Sequence, residues 1–178
     1  PESVFCNAGK YNFVDDDWTM YDTMDVTLNY TGEKSIRWDG KSRTSYQTYG
    51  SDRGNVAFGS AGTVTISRNG FRVHDLKGKL IREEKEATES VTTGLGGGGD
   101  ISTKHILNFI GTVRGTVSPN SVLKDAVISS HMNHLANIAY RAGKPHLKVD
   151  SATGHFLDKK IMKKYWEREY QPGWEPKL

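Results

Sequence analysis

The sequence predicts an α+β fold: an open, mainly antiparallel β-sheet running as a meander, with helices packed on one face. Three observations lead there. Apolar residues recur with a period of two through the first half of the chain, and with a period near 3.6 through the second half. Strands also come before helices instead of alternating with them, the order of an α+β domain.

The opening PESVFC reads as a strand. Apolar and polar residues alternate in Met24–Tyr30 and again in Ser35–Asp39, and the connection Tyr30-Thr31-Gly32-Glu33-Lys34 has hairpin length and a glycine. Gly62–Ser67 and Phe71–His74 form a second hairpin around Asn69-Gly70, and Asp75–Lys79 turns the chain into a short strand at Leu80-Ile81. Further on, Ile106, Phe109, Ile110 and Val113 make a helical stripe, with Ser102 or Thr103 as cap and Gly115 as stop. A longer helix follows, with Ser121 as N-cap, Ile128, Met132, Leu135 and Ala139 on one face, and Gly143 then Pro145 ending it. After a short extended piece from His146, a last helix is expected around Asp158–Glu169.

At 178 residues the chain suits one domain, 1–178, with a flexible glycine-rich strap at about 84–101. Such a length removes roughly 70% of the unfolded surface from water, enough for a real core. The net charge is only +3 and the basic residues are interspersed with acidic ones, which argues against nucleic acid. The basic run DKKIMKKYWER has apolar residues at helical spacing, so its lysines form a solvated helix face. Cys6 is the single cysteine, which excludes an internal disulfide. No apolar run approaches the ~20 residues of a membrane span, and no signal peptide is visible. The chain opens at Pro1 without Met, so it is expected to be a piece of something longer, and its compartment, cytoplasmic or exported, stays open.

Gly94, Gly96 and Gly99 match G-x-G-x-x-G literally. A dinucleotide loop needs an apolar parallel strand before the first glycine and a helix opening at the last. Here the preceding residues, from Glu83 to Ser90, are charged and unpatterned, so a linker is the expectation. His131 and His134 share a helix face but lack a nearby third ligand, and Asp15–Asp17 lacks the rest of a calcium loop. His74 and Asp75 are adjacent on a strand and point to opposite faces.

The stretch WDGKSRTSYQTYGSDRG, residues 38–54, is different. It combines aromatic faces with charged donors and acceptors, as polyhydroxylated ligands require, and long loops in compact domains are commonly functional. Trp38, Lys41, Arg43 and Tyr46 are the candidate substrate-binding residues.

Several motifs, in order, carry a resemblance: FCNAGKYNFVDDDWTMYDTMDVTLNY, KSIRWDGKS, NVAFGSAGTVTISRNGFRVHDLKGKLI, HILNFIGTVRG and SSHMNHLANIAYRAG. Across nearly the whole chain they resemble the C-terminal domain of the Gfo/Idh/MocA oxidoreductases. The resemblance implies a missing N-terminal Rossmann domain that binds NAD or NADP, a sugar or polyol substrate, and homo-oligomers formed through the sheet face. The family's Glu-Lys-Pro and Asp-x-x-x-His motifs are absent, and His105 and His131 match structural motifs of the domain, so no catalytic residue is assigned. No cofactor is expected to bind this chain alone. Two alternatives remain: a non-catalytic carbohydrate-binding or assembly domain, and part of an NAD-dependent glycoside hydrolase.

Overall fold

The computed structural model describes residues 1–85 and 99–175. The strands are β1 (Ser3–Gly9), β2 (Thr23–Tyr30), β3 (Lys34–Lys41), β4 (Asn55–Gly59), β5 (Gly62–Ser67), β6 (Gly70–His74), β7 (Leu80–Lys85) and β8 (His146–Lys148). The helices are α1 (Gly99–Val113), α2 (Leu123–Arg141) and α3 (Lys159–Tyr165). The fold is α+β with open antiparallel sheets. The strands divide between two four-stranded sheets, ordered β3-β2-β1-β8 and β4-β5-β6-β7, where the sequence suggested one continuous meander. Within the 1–178 span, contacts gather into two compact units, Pro1–Thr44 with Val122–Leu178, and Ser45–Ser121.

In the first unit the alternation read from the sequence becomes a two-faced sheet. Val4 lies opposite both Leu28 and Leu147, and Cys6 lies opposite Val26, so these side chains share one face. All five are at most 7% exposed. Helix α2 covers that face with Leu135, Ala136 and Ala139, and α3 adds Ile161 to the same core. Burying a side chain such as Leu135 contributes about 1.5–3 kcal/mol. The opposite face is polar: Asp25 and Asp39 pair across β2 and β3, with Arg37 on Asp25 and Lys41 on Asp39. Two residues in left-handed conformation, Gly32 (φ 70°) and Glu33 (φ 58°), make the tight β2–β3 turn.

Three boundaries differ from the expectation. Helix α1 begins at Gly99, ahead of Ser102 and Thr103, and its expected apolar stripe is exposed, with Ile106, Phe109 and Val113 all facing water. Helix α2 has Val122, not Ser121, at its N-cap; the Val122 carbonyl accepts from Asp125 and Ala126, which leaves the Ser121 hydroxyl one position too early. Ile128 is exposed, so the covered stripe of α2 starts at half-buried Met132. Helix α3 is shorter than Asp158–Glu169. Asp158 caps it by accepting from the N–H groups of Lys160 and Ile161, and it stops as Trp166 docks among His131, His155 and Phe156.

The second unit is built on the β4–β7 sheet. Its β5–β6 turn uses Arg68-Asn69, and Gly70 (φ 123°) opens β6 with its Cα against the Glu84 carbonyl, where a Cβ would collide. Ile81 has no partner opposite it, since Val73 faces Arg82 and His74 faces Leu80, a bulge that twists the edge strand. Strand β7 is laced by charge: Arg72 bonds Glu83 at 2.7 Å, and Arg82 pairs with Glu84 while lying over the Phe71 ring. Beyond α1 the chain folds back. Asn108 donates to the Ser118 carbonyl and accepts from the Asn120 N–H, and Val117 lies against Gly111, which has no side chain to block it. Of the expected strap, Glu84 and Lys85 belong to β7 and 99–101 to α1; residues 86–98 lie outside the described residues.

Candidate functional site

Asp22 organises the end of the first sheet. It is only 7% exposed, and its carboxylate accepts the backbone N–H of Tyr11 (2.9 Å) and Asn12 (2.7 Å) and the Thr23 hydroxyl (2.8 Å). Its backbone carbonyl meanwhile accepts both the N–H and the hydroxyl of Ser42. One residue therefore ties the segment after β1 to the segment after β3. The Asn12 N–H leads the hydrogen bonds that hold the Asp22 carboxyl below the usual aspartate range, outweighing the burial that opposes them.

Three of the four candidate residues lie around this end. Arg43 donates through Nη1 to the Asn12 side-chain oxygen at 3.0 Å. Lys41 pairs with Asp39 on the polar face, opposite Thr23, which in turn lies opposite Gly9. Trp38 takes the other face: it lies opposite buried Val26, and its indole fills the space over Gly40. Successive strand residues alternate in direction, so Trp38 and Lys41 point away from each other across the sheet. Trp38 is 61% exposed on the edge strand.

Tyr46 belongs to the second unit and is exposed. There the loop after it closes in a miniature hairpin, Thr48 bridging Ser51 with Tyr49 (φ 57°) and Gly50 (φ 81°) at its tip. Tyr49 then meets the edge of Phe58 with ring centroids 6.1 Å apart, laying that loop along β4.

Sequence reasoning missed Tyr11, Asn12 and Asp22. The Tyr11 ring lies over Gly9 on the polar face, as Trp38 lies over Gly40 on the other. An aromatic two residues from a strand glycine is the signal that could have found it, because the missing Cβ leaves a place for a ring. Asp22 gives no such signal: the backbone N–H groups that its carboxylate accepts are 10 and 11 residues away.

The other candidates make local contacts. His131 shares a hydrogen bond with the Gly154 carbonyl at 2.9 Å and presents an edge to Trp166, while His134 lines a shallow depression with Leu123 and Val127. Among the described residues no group of three His, Cys, Asp or Glu side chains could hold a metal ion. Asp16 sits in a solvated turn, bonded to Lys10 and to the Trp18 N–H. The Asp75 carboxylate accepts from the Lys77 and Lys79 N–H groups and so serves its own turn. Around the glycine motif, Gly94 and Gly96 are outside the described residues. Gly99 does open a helix, but the last strand before it among the described residues, β7, is antiparallel and exposed. No helix among the described residues is long and apolar enough to cross a membrane.

What the Asp22-centred edge offers chemically is an aromatic face on Tyr11, a fixed guanidinium on Arg43, an amide on Asn12, and the Lys41–Asp39 pair. It can bind and orient a polar ligand. Comparison with protein-family models, with curated proteins and with solved structures gives no match to this chain.

Proposed function

We propose that this chain is the substrate-binding and assembly domain of an NAD(P)-dependent sugar or polyol oxidoreductase, completed by a Rossmann domain that supplies the cofactor. The single observation behind it is the ordered set of motifs resembling Gfo/Idh/MocA C-terminal domains, from FCNAGKYNF to SSHMNHLANIAYRAG. Two features of the fold support it. The edge around Asp22 supplies an aromatic ring and multidentate hydrogen-bonding groups, the equipment for a polyhydroxylated ligand. The polar face of the first sheet, with Arg37 and Lys41 beside Asp25 and Asp39, has the mixed charge that lets two copies meet face to face.

In this reading the hydride transfer belongs to the cofactor and to residues of the nucleotide-binding domain, and this chain binds, orients and assembles. The test titrates NADH and NADPH into the 178-residue chain and into the product of the gene extended upstream of Pro1, following cofactor fluorescence. The extended product should bind and the 178-residue chain should not. If the extended product binds neither cofactor, the oxidoreductase reading fails and a carbohydrate-binding or assembly domain replaces it.

A further inference from the structure

We propose that the Asp22-centred edge selects sugars that carry a carboxylate, with Arg43 taking the carboxylate and Tyr11 the face of the ring. This rests on the carbohydrate reading above and narrows it to a substrate class.

Charge accounting around the edge singles out Arg43. Three cations lie at this end of the sheet, Lys10 after β1, Lys41 at the end of β3 and Arg43 just beyond it. Lys10 has Asp16 and Lys41 has Asp39. Arg43 has no acidic partner among the described residues; its contact is the neutral side-chain oxygen of Asn12. That contact is itself fixed, since the Asn12 backbone N–H is tied to the buried Asp22 carboxylate. One N–H of the guanidinium is spent on orientation and the others remain available. A planar guanidinium matches a carboxylate with two parallel hydrogen bonds, a geometry that an ammonium cannot reproduce.

The ring platform is adjacent. Tyr11 precedes Asn12, lies over Gly9 and is 60% exposed. Gly9, Thr23 and Lys41 lie directly opposite one another across β1, β2 and β3. At about 4.8 Å between strands, Gly9 under the Tyr11 ring and Lys41 stand roughly 10 Å apart, more than one sugar ring spans. A neutral hexose stacked on Tyr11 leaves Arg43 without a counter-charge, whereas a uronic acid on the same ring brings a carboxylate to it.

The experiment is calorimetric titration of the 178-residue chain with methyl glucuronide, methyl glucoside and acetate, repeated on Arg43→Gln and Tyr11→Ala. Both residues are exposed, and circular dichroism checks that each variant keeps its fold. The expected result is glucuronide at least tenfold tighter than either glucoside or acetate, a preference erased by Arg43→Gln, and weakened binding of both sugars to Tyr11→Ala. Equal affinity for glucuronide and glucoside in the unaltered chain overturns the acid selectivity and leaves the carbohydrate reading standing. Acetate binding as tightly as glucuronide also overturns it, exposing an anion spot without a sugar platform. If neither sugar binds, both readings of this edge fall.

Discussion

The carboxylate of Asp22 accepts the backbone N–H of Asn12 at 2.7 Å, and through Asn12 it fixes the guanidinium of Arg43. A buried acid thus orders a surface cation one residue removed, so the acid's protonation state governs the whole edge.

Acid should therefore loosen this edge ahead of the rest of the unit. The Asp22 pKa in the folded chain lies below the unfolded value of about 3.9. Its stabilisation is complete above the unfolded value and is lost as pH falls through the folded one. Protection factors for the Tyr11 and Asn12 amides should drop across that range while those of core strand β2 hold. Asp22→Asn should show the low protection at neutral pH; unchanged protection in the variant would contradict the assignment.

Leu135 is fully buried between α2 and the first sheet, so Leu135→Ala should cost about 2–5 kcal/mol in urea unfolding. Leu123, on the same helix but 78% exposed, is the control. Leu123→Ala should stay within about 0.5 kcal/mol. Similar losses at both sites would mean that α2 packs by another face.

Two glycines with positive φ should behave differently. Gly70→Ala places a methyl group against the Glu84 backbone carbonyl and should destabilise the second sheet by more than ~1 kcal/mol. Gly32→Ala meets nothing within 4 Å and should cost about 1 kcal/mol, from the left-handed backbone alone. Unfolding curves of the two variants give the comparison; equal losses would remove the close approach at Gly70.

Asn108 closes the return loop after α1 from both sides, donating to Ser118 and accepting from Asn120. Asn108→Ala should cost about 1–3 kcal/mol for the two bonds together. The loss should appear as faster exchange of the Asn120 amide, with β2 in the other unit unaffected. An unchanged Asn120 amide would show that Val117 against Gly111 holds the loop without it.

The strands that alternate cleanly were legible in the sequence, because burial of one face imposes a period of two: β2 and β3 extend the read segments by one or two residues at each end at most. Strand β4 was not. Asn55–Gly59 is short and runs into a glycine turn, and Val56 and Phe58 are too few to establish a period. The division into two sheets was also hidden, since hairpin signals report local pairing and do not say whether the connection 42–54 continues a ladder or leaves it. At the candidate site, Arg43 and Lys41 were legible as charged loop and edge residues. Tyr11, Asn12 and Asp22 were not, because their roles come from hydrogen bonds across 10 to 31 residues and from a ring over a glycine.

The pairing of β1 with β8 sets Val4 opposite Leu147, with Phe5 and His146 stacked 4.1 Å apart beside it. The first unit thus draws its central strand from one end of the sequence and its last strand and covering helix from the other, whereas Ser45–Ser121 is contiguous. During synthesis the contiguous unit has all its strands available early. The other must hold β1 to β3 half-finished until α2 and β8 leave the ribosome, with the apolar face around Val26 and Leu28 open to water meanwhile. Once made, the join closes a loop of well over a hundred residues, yet the entropic cost of closure rises only by about 0.6 kcal/mol per doubling of length. Lengthening or shortening the inserted unit should therefore change how fast the first unit forms far more than how stable it is.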